Sequence, residues 1–258
     1  MKKCITILKT PLTWIVYGTV IIIGLFLFII LQFTRSSDSP AWFDGQGKND
    51  AYDFPVYEKT EPLEYVEILN FLQVPESVLK TMSTEGLIET CINYPRFGDM
   101  MLYDSFQQGF DKVRNNFNGL NELYIRDDAP AKLINVIKSI DLNKLQDAQS
   151  SAILYRCICY MVAQDEIINS INNSDAKELL KTLKSHENLI KKRFSDFYGL
   201  NNTLFVEFRI YKKLYPEFKS LYDSHIGLQT FVNEGIWINI NQVEYENMMM
   251  KINDIVAK

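Results

Sequence analysis

The segment YPRFGDMML, which begins at Tyr94, brings polar groups that could bind a partner into a single turn. It places Arg96 and Asp99 three residues apart between two apolar runs. A guanidinium and a carboxylate at this spacing could form a surface recognition site. The same residues also fit a corner between two helices. Pro95 disfavours helical geometry at the residue before it, Gly98 permits a positive φ, and Asp99 could cap the next helix.

A second candidate binding site is a stripe of four lysines in the sequence DAKELLKTLKSHENLIKKRF. The members of this lysine stripe are Lys177, Lys181, Lys184 and Lys191. Their spacings of four, three and seven residues place them on one face of a helix. Such a face could bind an anionic lipid or polymer near a membrane. A solvated helix face that shields the edge of the core fits the same pattern.

Carboxylates leave an enzymatic alternative open. Glu85 and Glu89 lie four residues apart, and Glu207 interrupts the apolar run TLFVEFRIY. A glutamate whose pKa is raised by apolar surroundings can act as a general acid on a glycan. The alternative function is therefore an envelope glycan-acting hydrolase or lyase. A glutamate that is exposed, or paired with a base, is the structural alternative at each position.

Metal and nucleophilic chemistry have weak sequence support. The chain has two histidines, His186 and His225, and Cys157 and Cys159 lack the usual spacing of zinc ligands. On a helix these two cysteines point about 200° apart, so they favour burial as small apolar residues. A disulfide from Cys91 to either one would leave a free thiol. The sequence predicts no metal and no cofactor.

The most apolar stretch, WIVYGTVIIIGLFLFIILQF at residues 14–33, predicts a transmembrane anchor. Twenty helical residues rise about 30 Å, the thickness of the hydrocarbon core of a bilayer. Fourteen of the twenty are Ile, Val, Leu or Phe. A cleaved signal peptide is the alternative, although its apolar region spans only about 7–15 residues and no small-x-small cleavage site follows here.

The charges around this span predict its orientation. Three lysines precede it and only Arg35 follows closely, so the positive-inside rule places residues 1–13 in the cytoplasm. Residues 34–258 are then periplasmic or extracellular, on a bacterial inner membrane. They hold 24 basic against 32 acidic residues. This balance argues against a nucleic-acid partner, because nucleic-acid binding needs a concentrated basic surface.

The rest of the chain predicts a linker and an all-α domain. Residues 34–62 are rich in Ser, Gly, Pro and Asp, which is typical of a linker. Their five large aromatic residues indicate that part of the linker lies along the domain surface. From residue 63 to residue 258 the apolar period is helical, and it predicts about eight to ten short helices joined as hairpins. The segment IWINI, at residues 236–240, is the one candidate strand.

Capping residues predict where individual helices begin. Ser83 or Thr84 is the expected N-cap of one helix, and Asp175 with Glu178 has the spacing of a capping box. The helix through LQDAQSSAILYRCICYMVAQ is nearly apolar in its middle, so it should be the most buried.

One short motif occurs twice, and one longer stretch resembles a known pattern. FNGLN begins at Phe117 and FYGLN at Phe197, 80 residues apart. Two hairpins of about 40 residues would give this spacing in an α-solenoid-like stack, and coincidence would explain it equally well. The stretch PESVLKTMSTEGLIETCINYPRFGDM, continued by SFQQGFDKVRNNFNGLNEL, resembles a pattern in uncharacterised bacterial envelope proteins, over residues 63–140. The resemblance implies an extracytoplasmic location and no catalytic residue.

Together these features predict a membrane-anchored interaction module. The partners expected from the sequence are the membrane, through residues 14–33, and another envelope protein, bound by the helical surface.

Overall fold

The computed structural model describes residues 50–57, 62–144, 148–193, 200–238 and 240–257 of the chain. Over these ranges the backbone forms thirteen α-helices and two 3-10 helices, and it forms no strand. The prediction of an all-α domain is confirmed. The candidate strand IWINI was wrong where it is described, because this segment is irregular chain between two helices. Its Trp237 ring instead stacks on Phe231 with centroids 4.1 Å apart.

The helices follow one another with short connections. The first six are α1 (Tyr65–Phe71), α2 (Glu76–Thr81), α3 (Thr84–Ile92), α4 (Phe106–Asn116), α5 (Asn118–Ile125) and α6 (Ala129–Ser139). The remaining seven are α7 (Ala148–Val162), α8 (Asp165–Ser170), α9 (Asn173–Arg193), α10 (Leu200–Leu214), α11 (Pro216–Ser224), α12 (Ile226–Glu234) and α13 (Gln242–Val256). The 3-10 helices are Phe97–Leu102 and Leu142–Lys144.

In the described ranges, no helix combines the length and the apolarity needed to cross a bilayer. The predicted anchor at residues 14–33 and the predicted cytoplasmic segment at residues 1–13 lie outside these ranges, and so does most of the predicted linker.

Side-chain caps fix several helix starts. The Ser83 hydroxyl accepts a hydrogen bond from the Gly86 amide at 3.0 Å, which confirms Ser83 as the N-cap of α3. The predicted capping box of Asp175 and Glu178 was wrong. The Asn172 side chain caps α9 by accepting from the Asp175 amide at 2.9 Å, and the Glu178 carboxylate pairs with Lys138.

The core is densest around α7 and α10. As the sequence predicted, the described part of α7 is deeply buried: Tyr155 and every residue from Cys157 to Ala163 are at most 2% exposed. Helix α10 packs against α7, α9 and α11. Its Phe205 and Phe208 are fully buried and lie among aromatic neighbours. This aromatic packing fixes α10 against α7 and α11.

Basic side chains hold the C-terminal ends of neighbouring helices. Arg126 donates to the Leu79 and Met82 carbonyls at 2.6 and 2.8 Å, where α2 ends. Arg209 donates to the Ala163 carbonyl at 2.9 Å, just after α7. Lys213 donates to the Ile168 carbonyl at 2.7 Å, in the last turn of α8. The last carbonyls of a helix lack intrahelical donors and carry partial negative charge, so these cations satisfy both needs.

The FNGLN motif has a structural explanation. Phe117 is fully buried, and a Cβ on Gly119 would lie 2.5 Å from its ring, so the position has no room for a side chain. The Asn118 side chain accepts from the Val74 amide at 3.0 Å and donates to the Val74 carbonyl at 2.7 Å. The second copy, FYGLN, has no described side chain, so the predicted repeat stays a prediction.

The extended segment at residues 50–57 lies against α3. The Asp50 carboxylate accepts from the Ser83 amide and hydroxyl at 2.7 and 2.9 Å. The Tyr52 amide donates to the Thr90 hydroxyl at 2.9 Å. Part of the predicted linker therefore packs on the domain, as its aromatic residues indicated.

One contact joins distant parts of the chain. The Ser105 hydroxyl, at the start of α4, donates to the Glu234 carboxylate at 2.6 Å across 129 residues. Gly235 follows with φ 78°, and a Cβ there would lie 1.9 Å from the Tyr160 hydroxyl. An open solenoid contacts only adjacent repeats, so this contact closes the domain on itself.

Candidate functional site

Arg96 and Asp99 lie at a shallow cleft formed by the turn after α3, the helix α1 and the helix α4. The cleft is lined by Tyr65, Leu69, Tyr94, Arg96, Asp99, Tyr103, Lys112, Val113 and Asn116, and we call it the tyrosine cleft. The corner predicted from YPRFGDMML is therefore present, and it also forms the wall of a cleft.

Two details of the predicted corner were wrong. Asp99 does not cap the next helix, because Ser105 takes that role by accepting from the Gln108 amide at 3.0 Å. Gly98 lies inside the 3-10 helix, whose φ angles are negative, and the glycine with positive φ in the described chain is Gly235. The two polar residues of the turn, Arg96 and Asp99, therefore pair with each other.

Asp99 gathers its neighbours through one carboxylate oxygen. Its Oδ2 accepts from Nε and from Nη2 of Arg96, each at 2.8 Å, and from the Tyr65 hydroxyl at 3.3 Å. The Arg96 guanidinium also lies 5.4 Å from the centre of the Tyr65 ring, within the range of a cation–π contact. The ion pair therefore attaches α1 to the turn at the edge of the cleft.

Burial and charge shift the titration of these groups. Burial raises the pKa of Asp99, although the Arg96 guanidinium opposes the rise. Burial, followed by the nearby Asp99 carboxylate, also raises the pKa of Tyr65. The phenol therefore stays protonated at neutral pH and acts as a donor toward Asp99.

Tyr94 presents an unsatisfied hydroxyl at the floor of the cleft. The residue is 1% exposed and its ring stacks on Phe117, yet its hydroxyl has no hydrogen-bond partner. Burial raises the pKa of this phenol, so it stays a neutral donor. An unpaired buried hydroxyl costs about 1–3 kcal/mol, and such a group in a native structure calls for a reason.

The rim of the cleft exposes apolar surface. Tyr65 and Tyr103 line it and are 43% and 37% exposed. Their chain neighbours Val66 and Leu102 are 64% and 53% exposed. Helix α1, which carries two of these four residues, has no buried residue at all. Tyrosine and arginine are the residue types enriched in protein–protein interfaces and in their hot spots.

The cleft is too small to hold a metabolite. Its enclosed space is about 10 Å³, enough for about one water molecule. Pockets for drug-sized ligands span roughly 300–1,000 Å³. The cleft can take one small polar group, with further contacts on the exposed rim.

The lysine stripe divides into two parts. Lys184 pairs with Glu187 and Glu207 at 3.0 and 2.7 Å, and Lys191 pairs with Glu187 at 2.8 Å. These two lysines therefore belong to an ion-pair cluster that joins α9 to α10. The other members, Lys177 and Lys181, are exposed on the surface of α9.

Glu207 is the most buried carboxylate of the described chain, at 0% exposure. Its Oε2 accepts from Lys184 and from the Tyr211 hydroxyl at 3.1 Å, while its Oε1 has no partner. Burial raises its pKa, and Lys184 opposes the rise. A general acid must reach the substrate, and this carboxylate has no solvent-exposed surface. Of the two other glutamates singled out above, Glu85 pairs with Lys132 and Glu89 is buried, at 4% exposure.

A buried polar chain contains His186. The Tyr155 hydroxyl lies 2.9 Å from Nδ1 of His186, and burial lowers the pKa of the imidazole to about 4. The Cys159 thiol extends the chain, and burial raises its pKa to about 12, so it is a poor nucleophile.

The three cysteines of the described chain, Cys91, Cys157 and Cys159, are free and buried. The disulfide considered for Cys91 is not formed. Among the described residues, no group of three or more His, Cys, Asp or Glu side chains is arranged to hold a metal ion.

Sequence reasoning found Arg96 and Asp99 but missed Tyr65, Tyr103 and Lys112. These residues come from α1, from the turn and from α4, so no local spacing joins them. The available signal was the five aromatic and aliphatic residues of α1, which are many for a helix in which none is fully buried.

Comparisons with known proteins found no matching family model, no similar curated protein and no similar solved structure.

Proposed function

We propose that the protein is a protein-interaction module whose recognition surface is the tyrosine cleft with its exposed rim. The observation that carries the proposal is the unsatisfied hydroxyl of Tyr94, a residue that is 1% exposed and lines the same cleft as the exposed residues Tyr65 and Tyr103. A partner that inserts one acceptor group would satisfy the hydroxyl and cover the rim. Both gains are absent in the free protein, so both favour binding.

The rim supplies the contacts that a small cleft cannot. Tyrosine offers a large apolar ring with few rotatable bonds, so its burial yields contact area at a low entropic cost. Arg96 is already held by Asp99, which fixes its guanidinium before a partner arrives. Preorganised side chains lower the cost of association.

The proposal extends to the location of this module. The apolar stretch at residues 14–33 supports a single-pass anchor, and the lysines before it support an extracytoplasmic orientation for the domain. The partner is then another envelope protein. The succession of short helices supports a domain of helical hairpins, closed by the contact between Ser105, at the start of α4, and Glu234 in α12.

The test is crosslinking in cells that express the full-length protein, followed by mass spectrometry. A double variant Tyr65→Ala/Tyr103→Ala removes the rim while leaving the core intact. The matched control is Lys177→Ala/Lys181→Ala, which changes exposed residues of the lysine stripe. We expect one envelope protein to be captured by the wild type and the control and to be lost with the rim variant. Equal capture by all three proteins would overturn the proposal.

The glycan-acting alternative has less support. Glu207 is enclosed and Glu85 is paired, so neither presents a free carboxylate to a polymer. Hydrolysis of an envelope glycan by the purified full-length protein, lost in Glu207→Gln, would favour it over the binding module.

A further inference from the structure

Two residues that line the tyrosine cleft carry a hydrogen-bond donor without an acceptor. The first is the hydroxyl of Tyr94, which is buried and unpartnered. The second is the ammonium of Lys112, which lines the same cleft, is exposed, and has no ion pair or hydrogen bond within the described part of the chain. A cleft lined by two residues with such donors favours an acceptor as its ligand.

The charge of the cleft also favours an acceptor. Arg96 and Lys112 supply two positive charges, and Asp99 supplies one negative charge. Arg96 and Tyr65 already occupy Oδ2 of Asp99 with three donor contacts. The cleft therefore keeps an unmatched positive charge on a protein whose net charge is −5. A partner cation would meet two cations, whereas a partner anion would meet an unpaired ammonium and an unpaired phenol.

The volume of the tyrosine cleft limits the size of the ligand group that can enter it. About 10 Å³ admits one water-sized atom group, which a single carboxylate oxygen can fill. The exposed rings of Tyr65 and Tyr103 lie on the rim, where they suit an apolar group beside the carboxylate. A phosphate presents three terminal oxygens and fits this space less well.

We propose that the tyrosine cleft binds the carboxylate of an acidic residue in a polypeptide partner, with Tyr94 and Lys112 as the two donors and an apolar neighbour of that residue on Tyr65 and Tyr103. This inference rests on the proposed function and names the chemistry that the partner must present.

The test uses 3-phenylpropionate as a probe and 3-phenylpropanamide as its uncharged match. The protein is the full-length chain with ¹⁵N-labelled tyrosines, and the signals of Tyr65, Tyr94 and Tyr103 are assigned by phenylalanine substitution. We expect the acid to shift these three signals saturably. Its Kd should be about tenfold below that of the amide, because a hydrogen bond to a charged group contributes about that much affinity.

Three variants test whether the preference for the acid depends on the two donor side chains. Tyr94→Phe and Lys112→Gln should each remove most of the preference for the acid, while Lys251→Gln, which changes an exposed lysine of α13, should retain it. Equal binding of acid and amide, an unchanged preference in Lys112→Gln, or no saturable shift up to the solubility limit would each overturn the carboxylate assignment. Crosslinking that still depends on the rim would in those cases leave the binding module standing, so the two proposals fail separately.

Discussion

The ring of Tyr94 lies on the ring of Phe117 with centroids 4.0 Å apart and an interplanar angle of 10°. The stack joins the end of α3 to the start of α5, and Phe54 from the extended segment packs against both rings. The stack with Phe117 holds Tyr94 by its ring alone, because the Tyr94 hydroxyl has no hydrogen-bond partner. The same residue therefore stabilises the core and presents a polar group at the floor of the cleft.

Tyr94→Phe should stabilise the free protein. The change retains the stacked ring and removes a buried hydroxyl that lacks a hydrogen bond. We therefore expect the free energy of unfolding to rise by about 1 kcal/mol. Urea unfolding of the purified full-length protein measures the difference. Tyr124→Phe is the matched control, because the Tyr124 hydroxyl donates to the Met161 carbonyl at 3.0 Å and its loss should destabilise by about 1 kcal/mol. A destabilised Tyr94→Phe would show that the hydroxyl has a partner in solution.

Lys184→Met should destabilise the junction of α9 and α10. Breaking a buried pair costs about 3–5 kcal/mol, and because Lys184 is 40% exposed we expect about 2 kcal/mol. The double variant Lys184→Met/Glu207→Gln removes the unpaired charge as well, so it should recover part of the loss. Thermal unfolding of the two variants and the wild type measures both effects. A double variant less stable than Lys184→Met would contradict the ion-pair account.

The stability of the domain should rise with pH between about 4 and 6.5 because of His186. Burial lowers the pKa of this residue to about 4 from its ordinary 6.5. In that window the unfolded chain binds a proton at this histidine that the folded chain does not bind, so lowering the pH favours unfolding. The free energy of unfolding should fall by about 3 kcal/mol over the full window. Below pH 4 both states bind the proton and the dependence ends.

The measurement for His186 is urea unfolding at a series of pH values, for the wild type and His186→Gln. The carboxylates titrate in both proteins, so the difference between their slopes isolates the histidine. A slope that is unchanged in His186→Gln would rule out this origin.

Gly86→Ala should detach the extended segment from α3. A Cβ at this position would lie 2.0 Å from Oδ1 of Asp50, so the Asp50 carboxylate must leave the start of the helix. We expect faster proteolysis and faster hydrogen exchange at residues 50–57, with little change in the core. The comparison variant Asp50→Ala removes the same carboxylate without adding bulk and should have a similar effect. Unchanged protection in both variants would contradict the role given to Asp50.

The helical class and many local features could be predicted from the sequence, because they depend on short-range patterns. Apolar period marks the helices, and Ser83 caps α3 through its own neighbours. The tyrosine cleft could be predicted only in part, since its walls come from three elements. The ion pairing within the lysine stripe could not be predicted, because the carboxylate of Glu207 that pairs with Lys184 comes from another helix. Tertiary contacts of this kind leave no periodic signal.

The contact between Ser105 and Glu234 has a consequence for the order of folding. Their bond closes a loop of 129 residues, whereas the bonds that Arg126, Arg209 and Lys213 donate to helix ends span 42 to 47. The cost of closing a loop grows with the logarithm of its length, so the long closure costs about 1 kcal/mol more than a short one. Neighbouring helices should therefore dock first, and the junction of α4 with α12 should form late and open early.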